Sequence, residues 1–353
     1  MSESIPMENV AKKFEKHEYG VIYLDILGQK ELMRRLESKD AKPEDEEKMQ
    51  KVLEHVKRIS EELLMVKKGF SKENAKMIHS MHFARDKDIR QNDVQEALKE
   101  MMFGIQQFSD TTMIYVRLDG KNSIVAHQLF FILLGVLESS LFQALQDGIF
   151  IRGGVAKGKG WEIEENNLYG PVIEEVYTLE EKVAQWSRVV ISNDVVALFR
   201  DVLSKCKQET LLSLPFLQLA KTSFVKGLDG VCQLSLFPEC VLEDIASDNS
   251  DRGHILKTVE HFFHAVKVIN DDLKFHREKL AANSNEIVER SKLILRAKVL
   301  KQEVLNGIIK FVDICRDVGS LTEEECKAIA CQVQNEAHDD MGFNTPLTSI
   351  FEE

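Results

Sequence analysis

The pattern of apolar and polar positions divides the chain into a first part of alternating strands and helices and a second part of long helices. Five short apolar or alternating runs in the first part predict β-strands. They cover Gly20–Leu24, Gly104–Phe108, Thr111–Leu118, Ile149–Gly158 and Val189–Ser192. A period of three to four residues predicts helices over Gln29–Glu37 and Ser123–Gln146, and another that begins near Gly170. This β-α-β-β-α-β order is typical of the α+β ferredoxin-like palm.

Between the first two strands the sequence predicts an insertion. A polar, proline-containing connector over Lys39–Glu46 leads into helical periodicity from about Glu47 to Met102. We therefore expect a helical insertion over about residues 43–102.

The character of the chain changes beyond about residue 205. Short β-like pieces over Ser223–Val225 and Val231–Phe237 give way to helical repeats. The predicted helices cover Arg252–Ala282, Ile287–Arg316 and Thr322–Glu336. Since 353 residues exceed the usual size of one domain, we expect one domain over residues 17–205 and a mainly α-helical region over residues 206–353.

Composition narrows the class of protein. An apolar content of 44% and a charged content of 29% are those of an ordinary globular protein. A net charge of −12 argues against duplex nucleic acid as a partner. The six cysteines show no Cys-x-x-Cys spacing, which predicts reduced thiols. The N-terminus has no apolar leader, and the apolar run Leu129–Val136 is too short for a membrane span, so we expect a cytoplasmic protein with no membrane partner.

Two aspartates stand where predicted strands end. Asp25 closes the apolar run Tyr19–Leu24, and Asp110 follows Ser109 between two strand-like runs. Mg²⁺ and Mn²⁺ prefer oxygen ligands and are commonly held by one or two carboxylates together with substrate phosphates. The pair therefore indicates a metal-dependent nucleotide enzyme. The alternative interpretations are that Asp25 caps the following helix and that Asp110 only shapes a turn.

Four pieces of sequence, in the correct order, resemble the catalytic domain of the class III nucleotide cyclases. The segment Asp25–Gly28 is similar to the family's Asp-Ile-x-Gly, and Ser109-Asp110 is similar to the Gly-Asp of its metal-binding hairpin. The segment Arg152–Gly158 matches Arg-x-Gly-hydrophobic-x-x-Gly, and Gly170 opens a helix that leads into a strand, as in the family. The resemblance spans roughly residues 17–195.

The resemblance implies an activity and its metal ligands. Class III cyclases make a cyclic nucleotide from a nucleoside triphosphate, with two Mg²⁺ or Mn²⁺ ions that neutralise charge. Asp25, Asp110 and the backbone carbonyl of Ile26 would bind these ions. The family usually completes its sites across a head-to-tail pair of chains, so a homodimer is implied.

The resemblance also assigns nucleotide contacts and reveals two departures. Contacts to the phosphates and the base would fall on Gly28, Ser109, Lys157 and Asn167. The positions that stabilise the transition state fall on Glu174 and Thr178, where the family has Asn and Arg. A Glu and a Thr do not replace an arginine that neutralises the α-phosphate. The candidates for that charge are Arg152, Lys157, Lys159 and Lys182.

Two other functions therefore stay open. A cyclase-fold module that binds a nucleotide or a partner without turnover fits the two departures. A palm-type nucleotidyltransferase that joins two nucleotides fits the pair of aspartates. A P-loop is disfavoured, because Gly153–Gly160 lacks the Ser or Thr that should follow its lysine.

Overall fold

The computed structural model of the protein describes residues 14–38, 42–69, 92, 103–108, 111–120, 123–164, 167–205, 224–227, 230–237, 239–247, 252–282 and 287–338. The protein belongs to the α+β class: one mixed sheet carries helices on both faces, and a group of helices follows it.

The sheet and its flanking helices come first in the chain. The strands are β1 (Lys16–Ile26), β2 (Phe103–Phe108), β3 (Thr111–Arg117), β4 (Ile151–Glu164), β5 (Asn167–Tyr169), β6 (Val189–Ile191), β7 (Phe224–Lys226) and β8 (Cys232–Leu234). The helices are α1 (Gln29–Glu37), α2 (Pro43–Gly69), α3 (Ser123–Gln146), α4 (Pro171–Thr178) and α5 (Asn193–Lys205). A π-helix over Leu179–Ala184 continues α4 directly.

The C-terminal helices are α6 (Glu239–Ser247), α7 (Arg252–Ala282), α8 (Ile287–Asp317) and α9 (Glu323–His338). They pack around their own core, in which Phe237 and Phe262 meet edge to face with Phe142 of α3. Because α3 also contributes Leu129 and Phe130 to the core of the sheet, this helix belongs to both cores.

The described strands form a single sheet in the order β2-β3-β1-β4-β6-β8-β7, with β5 paired to β4. Strand β1 is antiparallel to both β3 and β4, and β4 is parallel to β6. The register places Asp25 opposite Thr111 on one side and opposite Arg152 on the other. Residues that pair directly across strands share a face of the sheet, so these three side chains lie on one face.

The two faces of the sheet are covered unequally. Ile22 and Leu24 of β1 face the large core made with α2, α3 and α5. Val21 and Tyr23 face the opposite way, against Val172 of α4 in a smaller core. Since side chains alternate along a strand, Asp25 continues the face that α4 covers.

Helix α3 is apolar on all sides because it lies between two cores. Within the residues that the structure describes, its stretch Ala126–Gln146 is the one helix long and apolar enough to cross a bilayer. However, 78% of that stretch is buried inside the protein, which is the pattern of a core helix.

Several predicted boundaries are confirmed, whereas those of the connector before α2 and of strands β1 and β4 are wrong. Strand β1 covers Lys16–Ile26 and not Gly20–Leu24. The bounds of α1, α3 and α7 agree with the sequence pattern. The connector predicted up to Glu46 instead joins α2 from Pro43, because proline suits a first helical turn and Asp45 accepts a hydrogen bond from the backbone of Lys42. Strand β4 runs on beyond Gly158 because it keeps pairing with β1 and then with β5.

Part of the predicted insertion, from residue 70 to residue 102, lies outside the described residues except for residue 92. Strands β7 and β8 extend the sheet past residue 205. The division into domains at 17–205 and 206–353 stays a prediction.

Candidate functional site

Asp25 lies at the end of the central strand, where the chain leaves the sheet. It is followed by Gly28, whose φ of 82° is in the left-handed region that favours glycine, and α1 begins at the next residue. Gly28 itself occupies the N-cap position and makes no side-chain cap hydrogen bond. The interpretation of Asp25 as the N-cap residue of α1 is therefore wrong.

Thr111, which follows the second predicted metal ligand in the sequence, pairs with Asp25 in the strand register. Phe108 pairs with Thr111 across the β2–β3 hairpin, and Thr111 pairs with Asp25. Ser109 and Asp110, between Phe108 and Thr111 in the sequence, lie outside the described residues. Their assignment stays a prediction.

Arg152 joins two carboxylates at the end of β1. Its Nη2 lies 3.2 Å from Oδ2 of Asp25, and its Nε is in contact with Oε1 of Glu180. The Glu180 side chain is only 7% exposed, whereas Asp25 and Arg152 are each 22% exposed. Burial raises the pKa of the Glu180 carboxyl; Arg152 opposes that rise and Asp25 adds to it. Two carboxylates thus share one guanidinium.

Glu180 reaches this place because it is carried by the π-helix. A π-helix is rare and often marks a functional site. The segment approaches β4 at Gly154, where a Cβ would lie 2.7 Å from the Val176 carbonyl oxygen and 2.9 Å from Cβ of Leu179. Only glycine leaves room for this contact, which sets the π-helix directly over the strand that carries Arg152.

A groove of about 670 Å³ lies between α4 and the β2–β3 hairpin on the same face of the sheet. Asn167, Glu174 and Thr178, the three positions expected to contact base and transition state, all line it. Oδ1 of Asn167 accepts a hydrogen bond from Nε2 of Gln106 at 3.1 Å. The structure therefore brings together three residues that the sequence separates.

The groove has an aromatic rim. Phe108, Tyr169 and Tyr177 all line it and are all exposed. The ring of Tyr177 also packs against Tyr23 of β1, with centroids 4.4 Å apart. Since Tyr23 is two positions from Asp25, this contact connects the groove to the Asp25–Arg152–Glu180 cluster.

Lys157 does not join this group within one chain. It pairs with Gly20 in the register, five positions from Arg152, which is about 17 Å along a strand. Its Nζ lies 3.2 Å from Oε1 of Glu18. The segment Gly153–Gly160, which looked like a P-loop, is extended strand within β4.

A hard divalent cation prefers carboxylate oxygens, and in this structure the carboxylates of Asp25 and Glu180 are both engaged with Arg152. Asp25 and Ile26 end the strand there, and Glu180 brings a second carboxylate that the sequence analysis did not single out. Among the described residues no group of three or more His, Cys, Asp or Glu side chains is close enough to hold a metal ion.

Comparisons with known proteins add no relative. No family model matches the chain, and no curated protein matches it.

Proposed function

We propose that the protein is a divergent class III nucleotide cyclase that makes a cyclic nucleotide from a nucleoside triphosphate. The observation that supports this most is the sharing of one sheet face by Asp25 at the end of β1 and by the groove that Asn167, Glu174 and Thr178 line. A metal-binding carboxylate and a base-sized groove on one surface are what such a reaction needs. We also propose a cytoplasmic location.

In this proposal the 3′-hydroxyl oxygen of the nucleotide attacks its own α-phosphorus. The bond to the β-phosphate breaks, pyrophosphate leaves, and the hydroxyl proton passes to water. Mg²⁺ or Mn²⁺, when bound, supplies the charge that neutralises the phosphates. Asp25, Asp110 and the carbonyl of Ile26 would hold it, and Gly28 and Ser109 would lie beside the phosphates.

A homodimer fits the exposed rim of the groove. Phe108, Tyr169 and Tyr177 leave aromatic area open to solvent on the face that carries the proposed site. Exposed aromatic residues that lie together typically mark an interface. A second copy of the chain, seated head to tail, would cover them and generate two equivalent sites.

A binding module without turnover is the second candidate, and one observation favours it. Arg152, the residue nominated to replace the missing transition-state arginine, is engaged by Asp25 and by the buried Glu180. Glu174 and Thr178 add no positive charge to the groove, and Lys182 in its lining is accompanied by two carboxylates, Glu174 and Glu181. A site in this state is suited to hold a nucleotide more than to stabilise developing negative charge.

Incubation with each of the four ribonucleoside triphosphates and Mn²⁺ separates the candidates. A cyclic mononucleotide with equimolar pyrophosphate supports the cyclase, and a dinucleotide supports a palm-type nucleotidyltransferase. Metal-dependent nucleotide binding with no pyrophosphate supports the binding module. Asp25→Asn should abolish whichever activity is found, whereas Glu323→Gln, an exposed carboxylate of α9 paired with Lys327, should leave it unchanged.

A further inference from the structure

A chain of polar side chains connects the C-terminal helix α8 to the π-helix that carries Glu180. It runs through Glu303 of α8, Gln233 of β8 and Arg188, the residue just before β6. Nε2 of Gln233 donates to Oε1 of Glu303 at 3.3 Å, and Nη1 of Arg188 donates to Oε1 of Gln233 at 3.3 Å. Arg188 and Gln233 are both buried.

Arg188 holds the end of the π-helix through its backbone carbonyls. Its Nε donates to the oxygen of Ala184 at 2.9 Å, and its Nη2 donates to the oxygen of Val183 at 2.6 Å. The last carbonyls of a helix lack partners within the helix, so a buried donor that reaches two of them stabilises that end. The planar guanidinium fork of arginine suits this better than an ammonium group.

The same residue also holds the strand that carries Arg152. The backbone N–H of Gly153 donates to the carbonyl of Arg188 at 3.0 Å. Arg188 lies with its guanidinium carbon 3.7 Å from the centroid of the Trp186 ring, which further restricts its side chain. One residue therefore contacts both sides of the Arg152–Glu180 ion pair: its buried guanidinium holds the end of the π-helix, and its backbone carbonyl holds β4.

We propose that Arg188, Gln233 and Glu303 are positioning residues through which the C-terminal helical region holds Glu180 and Arg152 beside Asp25. Glu303 orients the amide of Gln233, the amide orients Arg188, and Arg188 fixes the π-helix. Polar networks of this kind strengthen one another because each bond polarises the next. The effect on ligand binding rests on the proposed function, whereas the effect on the π-helix does not.

The test compares full-length variants at Glu303. Glu303→Ala removes the acceptor for Gln233, while Glu303→Gln keeps an acceptor oxygen of the same reach. Gln302→Ala is the matched control, since this neighbour on α8 donates a hydrogen bond to Asn306 within its own helix. Gln233→Met is a second variant, which removes the middle member of this series of hydrogen-bonded side chains.

Two measurements are made on each variant. Hydrogen exchange by mass spectrometry follows the amides of residues 179–184, and calorimetric titration with Mn²⁺ follows the affinity of the site. Loss of one hydrogen bond predicts exchange about three- to tenfold faster in Glu303→Ala and Gln233→Met, with Mn²⁺ binding weaker by a similar factor. Glu303→Gln and Gln302→Ala should match the wild type in both.

The outcomes are distinguishable. Unchanged exchange over residues 179–184 in both Glu303→Ala and Gln233→Met overturns the proposal, and so does faster exchange spread evenly over the whole chain. Local exchange that rises and is restored in Glu303→Gln supports it. If the wild type binds no Mn²⁺ while exchange behaves as expected, the proposed function fails and the positioning role stands.

Discussion

Replacing Arg152 by Met should destabilise the protein more than any other single charge removal on β4. The change takes away the cation that Asp25 and Glu180 share, and it leaves an unbranched side chain of similar reach. Breaking a buried ion pair by removing one partner costs about 3–5 kcal/mol. Because Arg152 and Asp25 keep 22% of their side-chain surface exposed, we expect the lower end of that range.

The expected loss is readily measured. About 3 kcal/mol corresponds to a Tm lower by roughly 4 °C for 353 residues, at an unfolding entropy of about 2.1 cal/mol/K per residue. Thermal unfolding followed by circular dichroism gives the value. Lys157→Met is the control, since it removes a cation of the same 22% exposure whose partner Glu18 is 28% exposed, whereas Arg152 also contacts Glu180, which is 7% exposed.

The loss of stability in Arg152→Met should also depend on pH, and the pKa of Glu180 sets the direction of that dependence. Burial raises the pKa of this carboxyl, and without the guanidinium its pKa rises further. A carboxyl whose pKa is higher in the folded than in the unfolded state destabilises the fold at high pH, and this cost falls as pH drops and the folded protein takes up the proton. The difference between Arg152→Met and the wild type should therefore shrink from pH 8 to pH 5.

Mn²⁺ should stabilise the variant more than the wild type, because a divalent cation takes the place of the missing charge. A ligand at 100 times its Kd contributes about 2.7 kcal/mol. If Arg152→Met loses no more stability than Lys157→Met, or if Mn²⁺ raises both Tm values equally, the two carboxylates do not share a cation as described.

Three other changes have expected outcomes. Burial lowers the pKa of His55 to about 4 in the folded protein, whereas in the unfolded chain a histidine has its ordinary pKa of about 6.5. Between these two pH values the unfolded state binds a proton that the folded state does not, so stability should fall by up to about 3 kcal/mol from pH 6.5 to pH 4. His55→Leu should flatten that fall in urea titrations, and exposed His254→Gln should not. Gly154→Ala should cost about 1–3 kcal/mol by pushing the π-helix from the sheet, whereas Gly69→Ala, with open space around it, should be tolerated in the same titration. Tyr169→Lys should raise the dimer Kd by roughly 30-fold in sedimentation analysis, the effect of losing one aromatic anchor, and equal dimerisation of this variant and the wild type would contradict the proposed interface.

The sequence predicts the long elements well because their apolar positions repeat with the period of the element. Helix α3 carries the apolar run Leu129–Val136 and is buried between two cores, and α7 keeps Val259, Phe262, Val266 and Ile269 on one face. The α+β class follows from the order of these elements. Periodicity does not predict strand register, because register is set by pairing between residues that are far apart in the chain.

Register decides how the candidate site is assembled. The pairing of Asp25 with Arg152 joins residues 127 positions apart, and a shift of one position would have sent one of them to the opposite face. Lys157, grouped with the nucleotide contacts by its motif, lies toward the other end of β1 for the same reason. An α-helical pattern does not predict the position of Glu180, because the π-helix that begins after Thr178 changes which residues face the sheet.

The cyclase and the binding module differ in whether Arg152 stays paired with Glu180 or is free to contact a phosphate. A divalent cation bound at Asp25 brings positive charge beside the guanidinium and weakens its attraction to that carboxylate. Glu180, almost wholly buried and held by the π-helix, still attracts Arg152 from the other side. Whether the guanidinium is available to a phosphate thus depends on the strength of the Glu180 contact, which is set by groups outside the groove: Gly154 below the π-helix and Arg188 at its end. The contacts that hold the π-helix in place therefore also determine whether Arg152 takes part in turnover or only in binding.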